Sequence, residues 1–243
     1  MITVLWGSQW DEHPDICNQM FRLRAQLFLD RRGWSVDVSG GLEIDRFDDL
    51  DPLYVCVLSA EGRLVASLRL LPTLGPHMLS DVFPEVAGAR GPIRGADVWE
   101  SSRFCVDTEA ARDFHADGIN HATRMLLAGL FASARTIGLR SVVSVYDVYV
   151  ERILKRAGCS FERLGPVHEY DALRTVAGLF PVADNEPARI LRGGGHRTAP
   201  RADGIAPAPA ATPRSRLPHP PAIDAAFAPR AEIPRPFQAA YPA

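Results

Sequence analysis

The chain has 243 residues, 47% of them apolar and 23% charged, with a net charge of −2. That length fits one domain of ordinary size plus an appendage, with enough apolar content for a sizeable core. The weak negative charge gives no general attraction to phosphate backbones, so no nucleic-acid partner is expected.

In chain order, MITVLW (1–6) reads as a short strand. PDICNQMFRLRAQLFLDRR (14–32) reads as a helix whose Ile16, Met20, Phe21, Leu23, Leu27 and Phe28 make an apolar side. A glycine-punctuated acidic loop follows (33–53). YVCVLS and LVASLRLLP then bracket AEGR as a hairpin turning at Glu61-Gly62. MLSDVFPEV (78–86) reads as a short helix with Ser80 or Asp81 near its cap, and DVWESSRFCVD (97–107) as a strand. A long helix over 117–138 ends at Gly138. The strand SVVSVYDV, the helix YVERILKRAG and a last strand or hairpin through 161–182 complete the body.

This order makes the class α/β with a mixed sheet, and it is that of an N-acyltransferase-like (GNAT-like) sheet flanked by helices. From Gly195 to Ala243 the chain is rich in proline and alanine and has no apolar period, so a disordered tail (195–243) is expected beyond a folded 1–194 domain. The longest apolar run, Met125 to Ala134, falls short of the roughly 20 residues of a membrane span, and the N-terminus has no basic region before an apolar core. No membrane insertion and a cytoplasmic location are therefore expected. Cys17, Cys56, Cys105 and Cys159 stand singly among apolar neighbours, without metal-ligand spacing, so neither a metal nor a bridge is implied. Lys155 is the only lysine, leaving arginine as nearly the whole cationic repertoire.

Several charges sit where burial is expected. Arg24 lies four residues before Phe28 on an apolar helix side, and a guanidinium there wants a carboxylate. The acidic loop offers Glu43, Asp45, Asp48, Asp49 and Asp51, a run that on its own fits a solvated loop better than a site. Trp34 either covers the core edge or gives a face to a cationic ligand. Arg69 interrupts an apolar strand; it marks an edge facing water, or it joins Arg24 and Arg103 in a paired cluster with Asp45, Asp48 and Glu100 at one end of the sheet. A buried charge left without its partner costs about 3–5 kcal/mol, which favours the cluster.

Arg24, Phe28, Trp34, Asp45, Asp48, Arg69, Glu100 and Arg103, set in EIDRFD and WESSRFCVD, together resemble the signature of the acyl-homoserine lactone synthase (autoinducer synthase) family. All eight agree in type and order, and the resemblance covers about Met1 to Arg192. It implies a quorum-sensing signal synthase that joins an acyl group, carried on acyl carrier protein or coenzyme A, to S-adenosylmethionine. The products are an N-acyl-homoserine lactone and 5′-methylthioadenosine, and S-adenosylmethionine is a substrate, so no cofactor is expected. Glu100 becomes the expected base and Arg103 the anchor for the methionyl carboxylate. Arg24, Phe28, Trp34, Asp45 and Asp48 complete the S-adenosylmethionine site, while Arg24, Asp45, Asp48 and Arg69 form its electrostatic support. Met125, Leu126, Val142, Ser144 and Tyr146 are expected along the acyl-chain pocket, although plain core is the default for most of them. No Arg/Gln-x-x-Gly-x-Gly turn precedes the long helix, which tilts the donor towards acyl carrier protein, whereas coenzyme A can be bound without that turn and PTLGPHMLSDVFPEV resembles the variant of the family in which coenzyme A donors occur. Basic residues on or near the last two helices, Arg112, Arg124, Arg135, Arg140, Arg152, Lys155 and Arg156, are available as a surface for the acidic carrier protein, although each alone fits a solvated face better.

Two other functions compete: an N-acyltransferase of the same fold acting on another amine, and a catalytically silent ligand-binding domain. Strand alternation adds a geometric expectation, because it puts Val98, Glu100 and Ser102 on one face and Arg103 on the other. A β-bulge near Ser101 or Ser102 would bring Arg103 to the face of Glu100 and splay the strand from its neighbour.

Overall fold

The computed structural model describes residues 1–31, 38–170, 173–184 and 186–192. Trp34 and the tail expected over 195–243 lie outside the described residues. The first half contains β1 (Ile2–Trp6), α1 (Pro14–Ala25), the hairpin β2 (Val38–Ser39) and β3 (Leu42–Glu43), β4 (Leu53–Leu58), β5 (Leu64–Pro72) and α2 (Met78–Asp81). The second contains β6 (Val98–Val106), α3 (Thr108–Phe114), α4 (Gly118–Thr136), β7 (Ser141–Asp147), α5 (Val148–Arg156), β8 (Glu162–Arg163), β9 (His168–Tyr170), β10 (Leu173–Pro181) and α6 (Glu186–Arg192). The predicted strands and long helices are all present. The hairpin β2–β3, α3 and α6 are additions, each too short to show a period. α3 and α5 start on the same device: Asp107 and Asp147 leave a strand and accept N–H bonds from the first turn of the helix that follows. One correction concerns α2, which begins after His77, so that Ser80 and Asp81 lie at its end and not at its cap.

The main sheet runs β1-β4-β5-β6-β7-β10-β8, with β9 also on β10. Its pairs are antiparallel except β6 with β7. One face packs on α4 through Val55, Leu68, Leu70, Leu126, Phe131 and Val142. Gly129 lets that helix lie close, since a Cβ there would sit 2.9 Å from Val55 Cγ1 and 3.1 Å from Ile2 Cγ2. The opposite face packs on α1 through Met20, Phe21, Tyr54 and Cys56, and on α2 through Leu71, Leu79, Val98 and Val143.

Two irregularities shape the middle of the sheet. Ser67 pairs with Cys105 and Arg69 with Ser102, so Arg103 and Phe104 together oppose Leu68. Arg103 is the inserted residue, with φ of +55°, a conformation that costs a non-glycine residue about 1–2 kcal/mol. The expected bulge thus exists, one to two positions beyond Ser101 or Ser102. Its extra residue reverses the alternation downstream, sending Phe104 and Val106 to the α4 face and Cys105 to the α1 face. The second irregularity is a split. The parallel ladder of β6 and β7 runs from Val98–Ser141 to Ser101–Ser144 and stops, while β6 continues to Val106 and β7 to Asp147. At the last rung Ser144 Oγ donates to the Ser101 carbonyl at 2.8 Å.

Candidate active site

Three guanidiniums meet three carboxylates on the α1 face of the sheet. Arg24 comes from the end of α1, which then widens into a π-turn over Gln26–Arg31 that carries Phe28. Arg24 grips Asp48 with two bonds, Nη1 to Oδ1 at 2.9 Å and Nη2 to Oδ2 at 2.8 Å, and Glu43 with its Nε. Arg69, fully buried in β5 with a strand on either side, donates to Asp45 at 2.6 and 3.0 Å, to Asp48 at 2.8 Å and to Ser102 Oγ at 3.1 Å. It is therefore a cluster residue and not an exposed edge. Arg103, turned by the bulge, reaches Glu43 Oε1 at 2.7 Å and Asp45 Oδ2 at 2.6 Å, with Phe28 under its guanidinium at 5.1 Å. Tyr54 donates its hydroxyl to Asp48 at 2.7 Å.

Burial opposes ionisation of Asp48, but Arg24 and Arg69 outweigh it and hold the carboxyl well below the usual range. Burial likewise works against the charge on Arg24, and Asp48 and Glu43 more than offset it. Such a network is stable only because each buried charge has its partner.

Glu100 does not join this cluster as its third carboxylate; Glu43 does. The sequence offered Glu43 only as one of five acidic candidates, and charge balance could not single it out, because Glu100 already supplied a third carboxylate for the three arginines. Glu100 is fully buried. Its two oxygens accept the backbone N–H groups of Met78, at 2.7 Å, and Leu79, at 2.6 Å, in the first turn of α2. Burial pushes its pKa up to about 7, against the pull of those two N–H bonds and of Arg69 and Arg103. Met78 links the two groups, because its sulfur lies 3.3 Å from Arg103 Nη1 and 3.6 Å from Arg69 Nη2. Nothing in the residue pattern around Met78 and Leu79 had marked them, since they act through backbone N–H groups and a thioether.

The expected pocket residues lie on the opposite face, towards α4. Leu126, Val142 and Tyr146 are buried there, with Met125 half-buried against them. Ser144 stands at the last rung of β6 and β7, one residue beyond the Glu100–Val143 rung, so the pairing of these strands ends just past Glu100. Tyr146 leans over Gly178, where a Cβ would collide with its hydroxyl, and that hydroxyl is buried without a partner among the described residues. Of the basic surface, Arg124, Arg140 and Lys155 are paired with Asp117, Asp97 and Glu151.

Residues 9–190 match the family model "Autoinducer synthase". A probable acyl-homoserine-lactone synthase of Sinorhizobium fredii is 39% identical over 170 residues, covering 70% of this chain and 82% of that protein. Among solved structures, a CoA-dependent acyl-homoserine lactone synthase, BjaI, with SAM and isopentyl-CoA superposes with a TM-score of 0.73 at 26% identity, over 85% of this chain and 94% of that one. A putative N-acetyltransferase from Lactobacillus plantarum shares the fold alone, with a TM-score of 0.50 at 19% identity over 75% of this chain and 99% of that one. With the splayed N-acyltransferase-like sheet and the buried arginine–carboxylate cluster, these likenesses identify the chain as a member of the autoinducer synthase family, the acyltransferases that make acyl-homoserine lactones.

Proposed function

We propose that this chain acylates the amine of S-adenosylmethionine from an acyl thioester and then closes the lactone, with Glu100 as the base. The observation that carries the reading is a buried carboxyl poised at about 7, beside the point where the β6–β7 pairing ends. An α-amino group titrates at about 7.7–8.0, so at neutral pH the acceptor amine is mostly protonated and needs a base. Glu100 takes that proton, and the freed nitrogen attacks the thioester carbonyl. The tetrahedral oxyanion is received by backbone N–H groups of β6 left without a ladder partner where the β6–β7 pairing ends beside the bulge, a role supported by the interrupted register there. Collapse expels the carrier thiolate, which takes up a proton. The methionyl carboxylate then attacks the γ-carbon, the C–S bond breaks, and 5′-methylthioadenosine leaves as a neutral thioether. Orientation supplies most of the acceleration in this intramolecular step.

Arg103 anchors the methionyl carboxylate through Nη1, whose one partner among the described residues is the Met78 sulfur. Arg24 and Arg69 are saturated by carboxylates and serve as structure. The three arginines and three carboxylates of the cluster balance, so an ionised Glu100 leaves the site net negative, which suits a cationic sulfonium. The acyl chain passes through the split to Met125, Leu126, Val142, Ser144 and Tyr146. The likeness to a CoA-dependent relative supports acyl-CoA as the donor; its rival is acyl carrier protein, as the missing glycine-rich turn suggests.

The test is to supply S-adenosylmethionine with acyl-CoA or acyl carrier protein thioesters of matched chains and to measure lactone and 5′-methylthioadenosine. Glu100→Gln is expected to lower turnover on the order of 10²–10⁴-fold. Turnover by that variant at the unmodified rate sinks the assignment of the base.

A further inference from the structure

We propose that Arg94 is a positioning residue for the base: by gathering the carbonyls of Thr73, Leu74 and Gly75, it sets the turn of α2 that presents two N–H groups to Glu100. The inference rests on Glu100 being the base. α2 has four residues, too few to hold its own geometry. Leu79 pins the turn to the core, and the direction of the Met78 and Leu79 N–H groups is then set by the segment that leads into it. That segment contains Pro76, which has no N–H to give. Its three consecutive carbonyls converge instead on Arg94 Nη1, at 3.0, 3.4 and 2.9 Å.

Arg94 is held in turn by the start of β6. The next residue, Gly95, donates its N–H to Thr73 Oγ1 at 3.0 Å, and Thr73 Oγ1 donates to the Val98 carbonyl at 2.6 Å. Val98 opens β6, and Glu100 follows two residues later. A closed circuit results, from β6 through Arg94 to the 73–75 turn, on to α2 and back to β6 at Glu100. His77 locks the last corner: its Nδ1 lies 2.9 Å from the Gly75 carbonyl, and its Nε2 is buried without a partner among the described residues. Charging the ring would bury a second N–H without an acceptor, so the imidazole stays neutral.

N–H bonds to a carboxylate favour its ionised form. A loosened circuit therefore raises the pKa of Glu100 and weakens it as a base at neutral pH. The charged groups facing Glu100 are Arg69 from β5 and Arg103 from β6. β7 presents Val143 opposite it. α2 presents backbone, with His77 before it and Asp81 at its end, the latter paired with Ser80 and Arg46.

The experiment uses the full chain and compares Arg94→Ala with Arg94→Lys, whose ammonium keeps three donors. Hydrogen exchange over 76–82 reads the clamp directly, without any acyl donor. Turnover of S-adenosylmethionine with an acyl-CoA is then followed against pH. Arg94→Ala should exchange the Met78 and Leu79 amides about tenfold faster or more, and its acid limb of kcat/KM should move up by about one pH unit. At pH 7, where the ionised fraction of Glu100 drops from about one half to about one tenth, its kcat should fall about fivefold, with KM for S-adenosylmethionine within about twofold. Arg94→Lys should recover most of each change. If Arg94→Ala does not fold, Arg94→Met removes the same donors and keeps the apolar stem. Native exchange at Leu79, or an unmoved acid limb, in the variant lacking the donors overturns the proposal. Should Glu100→Gln remain active, the base assignment fails, while the exchange rates still decide on the clamp.

Discussion

Asp48→Asn is the sharpest test of the buried cluster. The side chains are nearly isosteric, so the change removes charge and acceptors without opening a cavity. Asp48 accepts five hydrogen bonds: two from Arg24 and one each from Arg69, the Tyr54 hydroxyl and the Asp45 backbone N–H. An amide keeps one oxygen and turns its NH2 group towards three of these donors if it replaces Oδ1, or two if it replaces Oδ2. Arg24 and Arg69 then lose the carboxylate they share in a site closed to water. Removing one partner of a buried pair costs about 3–5 kcal/mol. For a domain of this size each kcal/mol moves Tm by about 2–4 °C, so a fall of roughly 6–20 °C is expected. Urea denaturation at pH 7 measures it, with Asp49→Asn, an exposed neighbour, as the control that should stay within about 0.5 kcal/mol. The pH dependence has a definite sign. A carboxyl whose pKa is lowered by folding contributes its stability above the unfolded value of about 4 and loses it as pH falls further. The deficit of Asp48→Asn should therefore shrink in acid. A loss below about 1 kcal/mol at pH 7 would show that the cluster is not the buried, mutually dependent unit its distances describe.

Because Glu100 must be ionised to accept a proton and titrates at about 7, kcat/KM should rise with pH through about 7; a profile flat from pH 6 to 9 removes its role. Stability should run the other way, since a carboxyl whose pKa is raised by folding loses stability as pH climbs from 4.5 to about 7. Gly129→Ala should destabilise by about 1–3 kcal/mol, because the new methyl group presses on Val55 and Ile2, outweighing a helix-propensity gain of about 1 kcal/mol; a raised melting temperature would contradict this packing. Tyr146→Phe removes a buried hydroxyl without a partner and should be neutral or stabilising by about 1 kcal/mol in urea; a loss beyond 1 kcal/mol would mean that a water or another group satisfies it.

Much of this molecule follows from local pattern. The near-continuous apolar runs of β4 and β5, the period of α1 and α4, and the breaks at Gly62 and Gly138, both with positive φ, set the elements and most of their order. Charges inside apolar runs at Arg24, Arg69, Glu100 and Arg103 marked a site, because a charge expected in the interior needs a reason. Even the bulge was legible, since alternation alone could not put Glu100 and Arg103 on one face.

What the chain could not reveal locally is which charge meets which. Glu43 takes the place foreseen for Glu100 because the β2–β3 hairpin folds back over α1, a contact across 19 residues for Arg24 and 60 for Arg103. The clamp on Glu100 is made of backbone N–H groups, which every residue except proline carries, so no side-chain signal announces it. The bulge falls at Arg103, and not a residue or two earlier, because the pairing of β5 with β6 assigns the inserted position. The residue types and their spacing thus determined that buried charges must pair; only the tertiary structure decided the partners, since pairing energy depends on distances that spacing along the chain does not encode.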